Sequence, residues 1–132
     1  MNLFAYGTLM WPEVLEAVIG RRLFGAPATV DGYLRQRVKG ELYPVLVASN
    51  PCDKVEGILY RDLSEKDFQR LDRFEGVEYD RQKVRIGMVH AEVYVLSNSW
   101  RHIASAEIWH PEDMQKEDLE AFCSEYKGWQ IG

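Results

Sequence analysis

Apolar positions fall into short runs and helical stripes that alternate along the chain. Residues 2–6, Asn2-Leu3-Phe4-Ala5-Tyr6, form an apolar run closed by Gly7. So short a run ended by glycine predicts a buried strand. Pro12 sits where the first turn of a helix tolerates a missing N–H. Val14, Leu15, Ala17, Val18 and Ile19 then share one helix face, and Gly20 is a stop signal. The first unit therefore reads as strand, tight loop over residues 7–11, and helix.

The next stretch is extended. Ala28-Thr29-Val30 and Tyr33-Leu34 are strand-like, and Tyr43-Pro44-Val45-Leu46-Val47 is a strand carrying a proline. Proline confines such a strand to an edge, a strand start or a bulge. Asn50-Pro51 marks a turn. Residues 54–60 alternate as a strand, in which Gly57 signals a bulge or a close backbone approach. Ser64 is a helix N-cap with Asp67 three positions on, and Phe68, Leu71 and Phe74 recur at helical spacing before Glu75-Gly76 ends the run. Residues 83–86 and 91–96 read as strands, joined by a turn at residues 87–90 or continuous through it. A last helix is expected over residues 116–126, with Leu119, Phe122 and Cys123 on one face.

These strands lie too close together in sequence for parallel crossovers throughout, since each crossover needs a dozen or more residues. The pattern predicts an α+β fold, with helices packed on a mixed or mostly antiparallel sheet. The 132 residues suit one domain over the whole chain. Neither repeats nor low-complexity segments interrupt it.

Composition narrows the function. With 46% apolar residues and a net charge of −5, the chain is too apolar and too weakly charged to be disordered. No apolar run reaches the roughly 18 residues of a membrane span. The acidic balance offers no footprint for nucleic acid or an anionic membrane. The opening residues lack the basic and apolar regions of a secretory signal. Cys52 and Cys123 form no CxxC and read as free thiols of a cytoplasmic protein. His90, His102 and His110 lack metal-ligand spacing, so no structural zinc is expected.

Two segments hold candidate chemistry. Tyr6-Gly7-Thr8-Leu9 lies between a strand end and a helix start. It reads either as an ordinary turn or as a nest of N–H groups that binds an anion or a carbonyl. Glu75 ends an apolar-faced helix beside Phe74, where the helix dipole disfavours its charge and its pKa is expected to rise. The bland alternative is a solvated cap, with Asp72, Arg73, Glu78, Asp80 and Arg81 as a surface charge cluster. No Ser/His/Asp set has the context of a nucleophile. Tyr6, Trp11, Tyr43, Tyr79 and Tyr94 are aromatic residues able either to pack the core or to line a pocket.

Taken in order, these segments resemble a known family. Phe4-Ala5-Tyr6-Gly7-Thr8-Leu9 is similar to the YG[ST]L opening of the gamma-glutamylcyclotransferase-like superfamily. Leu71-Asp72-Arg73-Phe74-Glu75-Gly76, followed by Tyr79 and Arg81, resembles its LDxxEG…YxR segment. Residues 40–44 and 55–60 add to the match, which runs over about residues 2–96 and is nearest to the AIG2-like branch. The resemblance implies a compact mixed β-barrel with packed helices. It implies a pocket between the first loop and the acid. Tyr6, Gly7, Thr8, Leu9, Met10 and Trp11 would bind the glutamyl group, with Tyr43 and Tyr79 beside it. Glu75 would move protons.

The implied reaction cleaves a γ-glutamyl amide. The substrate's own α-amine attacks its γ-carbonyl, releasing 5-oxoproline and an amine. Such a reaction calls for no cofactor and no metal, because the nucleophile belongs to the small-molecule substrate. A binding module that uses the same pocket without turnover is the alternative. The leaving amine and the oligomeric state are not specified by the sequence, and nothing in it assigns catalysis to residues 97–132.

Overall fold

The first strand explains its own continuous apolarity. In a computed structural model that describes residues 1–114 and 117–120, β1 (Leu3–Ala5) is buried on both faces. Leu3 and Ala5 enter one core cluster, with Val14, Leu15, Val18, Tyr60, Phe68 and Leu71. Phe4 and Tyr6 enter another, with Val30, Leu46, Val55, Leu59, Val93 and Val95. A strand with two dry faces cannot alternate, so it reads as a solid apolar run.

The chain continues through α1 (Pro12–Ile19), β2 (Ala26–Asp31), β3 (Tyr33–Val38), β4 (Pro44–Ala48) and β5 (Lys54–Tyr60). It then forms α2 (Glu65–Glu75), β6 (Tyr79–Ile86), β7 (Val89–Leu96) and β8 (Ala104–Ile108). Five strands form one sheet in the order β2-β5-β1-β7-β6, and three form a second in the order β4-β3-β8. Every pairing is antiparallel except β1 with β7, so the sheet is mixed as expected. The expected barrel is corrected: two separate sheets face each other across Leu46, and no ladder joins the outer strands of the larger one. The helices cover that sheet's other face through Val14, Leu15, Val18, Phe68 and Leu71.

Local chemistry accounts for the helix ends. Ser64 Oγ accepts from the Asp67 N–H at 3.1 Å, and the Asp67 carboxylate accepts from the Ser64 N–H at 2.9 Å. This is a capping box with Asp in the Glu position. Asp67 is buried and meets Arg21 at 2.5 Å. Gly20 ends α1 in the left-handed region, at φ +84°.

Several elements differ from the sequence expectation. β3 extends through Arg35, Gln36 and Arg37, β6 begins at Tyr79, and β8 was not anticipated. The turn between β6 and β7 is only Gly87-Met88, because Ile86 pairs directly with Val89. At Gly57 the chain makes a close approach rather than a bulge. The ladders are unbroken there, and a Cβ would lie 2.3 Å from the Ala5 carbonyl oxygen. Residues 117–120 are helical with Leu119 buried, whereas Phe122 and Cys123 lie outside the described residues.

Candidate active site

The turn after β1 is built by its neighbours. Tyr6 ends in the inter-sheet core, where its hydroxyl donates to the Tyr94 carbonyl at 2.5 Å. Residues Thr8–Met10 form a single 3-10 turn, so the Thr8 and Leu9 N–H groups have no partner within it. On the core side, the Tyr60 hydroxyl is within hydrogen-bonding reach of the Leu9 and Met10 carbonyls, at 2.8 and 2.9 Å. Gly7 is required by space: a Cβ there would sit 2.9 Å from Cγ of Pro44.

Glu75 is the last residue of α2, and Gly76 turns the chain away from it. Gly76 has φ +85° and ψ −170°, a region open essentially to glycine alone. That turn brings Glu78 back toward α2, so that its Oε2 would lie 2.7 Å from a Cβ at position 76.

The two segments face one cavity of about 300 Å³. Tyr6, Gly7, Thr8 and Leu9 line it, as do Phe74, Glu75, Glu78 and Tyr79. Tyr43, Pro44, Tyr94 and Ile103 complete the wall with Phe4 and Ala5. Among the described residues the lining therefore has two carboxylates, four tyrosines and no basic side chain.

Met10 and Trp11, grouped with the loop by sequence, do not line this cavity. The 3-10 turn carries Met10 round to a groove lined also by Arg35, Glu56 and His110. Trp11 instead packs edge-on against Trp109, with ring centroids 6.4 Å apart. Sequence reading missed Pro44 and Ile103, which arrive from other parts of the chain, and placed Glu78 in a surface charge cluster, whereas the Gly76 turn brings it to the cavity. Tyr94, one of the aromatics able either to pack the core or to line a pocket, lines the cavity.

The electrostatics favour a protonated Glu75. Its side chain is half-buried at the cavity wall. Burial, then the nearby charges of Glu78 and Asp72, raise its pKa from 4.5 to about 8. The expected direction holds, although the main cause is burial rather than the helix dipole. Of the expected charge cluster, Asp72 accepts from the Tyr94 hydroxyl at 2.8 Å and meets Arg81 at 3.5 Å. The Tyr43 and Tyr79 hydroxyls are held above their ordinary pKa by burial and by neighbouring acids, so they remain neutral donors. Among the described residues no group of His, Cys, Asp and Glu is arranged to hold a metal ion. None of their helices is long and apolar enough to cross a membrane.

Two facing sheets, helices on one outer face and an acid-bearing cavity at the end of the first strand together define a pocketed α+β protein. The chain belongs to the family described as gamma-glutamyl cyclotransferase, AIG2-like, whose model matches residues 3–118. It is 31% identical to AIG2-like protein C of Arabidopsis thaliana over 132 aligned residues, covering 96% of this chain and 76% of that protein. AIG2-like protein D of the same plant is 33% identical over 85 residues, which is 64% of this chain and 55% of that one. An Arabidopsis thaliana protein solved in solution superposes with a TM-score of 0.69 at 29% identity, over 98% of this chain and 81% of its own. A structure named gamma-glutamyl cyclotransferase superposes at 0.62 with 18% identity, over 74% of this chain and 67% of that chain, a likeness of fold.

Proposed function

We propose that this chain is a cofactor-independent cyclotransferase that converts γ-glutamyl amines or peptides to 5-oxoproline and a free amine. One observation carries the reading: the Glu75 carboxyl and the turn at residues 6–9 line the same small cavity.

In this reading the substrate's α-ammonium binds among Glu75 and Glu78, where two acids and no base make the local field negative. The ammonium stabilises the Glu75 carboxylate, which then takes its proton. The freed amine attacks the γ-carbonyl and closes a five-membered ring. As the carbon–nitrogen bond of the amide breaks, Glu75 returns its proton to the departing amine, then takes the second proton of the ring nitrogen and passes it to the released amine or to water, leaving a neutral lactam N–H. Ring closure within one molecule supplies a large effective concentration once the chain is folded correctly. The Thr8 and Leu9 N–H groups and the neutral tyrosine hydroxyls are the available donors for the substrate's oxygens.

The test is 5-oxoproline release from a panel of γ-glutamyl amides, comparing wild type with Glu75→Gln. Wild-type turnover that falls by about 10²–10⁴-fold in a folded variant is expected for a lost acid–base group. Binding of panel members without turnover by wild type would replace the enzyme with a binding module.

A further inference from the structure

Behind the cavity, one cation and one tryptophan touch both segments that wall it. Arg35 projects from β3, and its Nη1 donates to the Tyr6 carbonyl at 3.0 Å and to the Glu56 carbonyl at 2.9 Å. Its guanidinium lies 5.1 Å from the centre of the Trp109 ring. Trp109 follows β8 and is fully buried. Its Nε1 donates to the Leu42 carbonyl at 2.6 Å, and its ring meets Trp11 edge-on. The pair thus holds Tyr6 and Trp11 on one side and Leu42, next to the Tyr43-Pro44 wall, on the other. Those segments meet where Gly7 lies against Pro44.

This arrangement is an expensive way to fill space. Arg35 Nε is buried with no hydrogen-bond partner among the described residues. Burial draws the guanidinium's pKa down, against the opposing pull of Glu112 and Glu56. An apolar side chain of similar size would avoid both costs. It could not hold the Tyr6 carbonyl or stack its charge on an indole.

We propose that Arg35 and Trp109 are positioning residues: a brace that fixes the gap between the turn at residues 6–9 and the Tyr43-Pro44 wall, and so sets how tightly a glutamyl group is held. The proposal rests on reading this cavity as the substrate site. It gives residues 104–110 a role in that site, although among the described residues from 97 onward Ile103 alone lines the cavity.

Two measurements on the full chain test it: amide hydrogen exchange, and 5-oxoproline kinetics over pH. Arg35→Met should speed exchange of the hydrogen-bonded Met10 and Trp11 amides by about tenfold or more and leave β6 and β7 unchanged. KM should rise by about 10–100-fold, the scale of a displacement near 1 Å. The acid limb of the pH profile should stay in place, because Glu75 is untouched. Arg35→Lys should restore part of both losses, since an ammonium can still reach a carbonyl. Trp109→Phe keeps a ring under Arg35 but loses the Leu42 bond, so it should loosen residues 42–46 more than residues 7–11.

Unchanged exchange at Met10 and Trp11 in Arg35→Met would overturn the brace, as would equal acceleration in every strand or an unchanged KM in an active enzyme. Should Arg35→Met fail to fold, the same exchange comparison in Arg35→Lys decides. If wild type turns over no γ-glutamyl amide, the proposed reaction fails, and exchange alone still judges the brace.

Discussion

Glu75 is a carboxyl whose ordinary ionisation has been traded for a proton held near neutrality. Burial does most of this, and Glu78 and Asp72 add to it. As a base Glu75 must be unprotonated, so kcat/KM for a γ-glutamyl amide should rise with pH to a midpoint near 8. It should fall again as the substrate's ammonium loses its proton in solution. Initial rates of 5-oxoproline release from pH 6 to 10 check both limbs. Glu78→Gln removes one of the two raising charges, so its acid limb should move to lower pH. An acid limb that stays fixed in that variant would show that Glu78 does not act on Glu75. At this scale the sequence was informative about the acid and the turn, because both are encoded by contiguous residues. It misled at Met10 and Trp11, because a 3-10 turn needs only three residues to carry the next side chain to the far side.

At the scale of elements, α2 depends on its N-terminal box to hold Glu75 at the other end. Ser64→Ala should cost about 1 kcal/mol, read by urea denaturation, because the Asp67 N–H loses its acceptor. The buried strands and both helices were readable from apolar pattern, since burial on one face leaves a periodic trace and burial on both faces a solid apolar run. β8 left none: its residues Ala-Ser-Ala-Glu-Ile are mostly exposed, and it holds its place by pairing with β3. The polar Arg35-Gln36-Arg37 stretch hid the length of β3 for a related reason, as Arg35 serves the turn after β1 rather than a core. The start of β6 was hidden likewise, with Asp80, Arg81 and Gln82 facing solvent or surface partners. Pro44 and Ile103 reach the cavity only through tertiary contacts, for which one chain carries no local signal, whereas Glu78 is turned into it by the local backbone at Gly76.

For the whole molecule, the cavity lowers stability in a pH-dependent way. Between about pH 4.5, the ordinary value, and about pH 8, the folded protein keeps a Glu75 proton that the unfolded chain has released. Stability therefore falls as pH rises across that window and levels off above it. Glu75→Gln removes the penalty. It should gain on the order of 1–3 kcal/mol at pH 9 and little at pH 5, less than the full shift implies because the cavity admits solvent. Urea melts at the two pH values check this. An inactive variant that is also more stable at alkaline pH is the pattern of a site that gives up stability for function.

β1 also has a consequence in time. It lies at the centre of the larger sheet, with Leu3 opposite Tyr60 on one side and Glu92 on the other. Both neighbours are made long after it when the chain is synthesised from its amino end. The turn at residues 6–9 hangs from this strand, so it cannot settle until sequence separations of 57 and 89 residues have been bridged. Contacts of that range are slow to form. A growing or partly unfolded chain thus presents no half-built pocket, and the acid on α2 meets its facing turn only when the last central strand has docked.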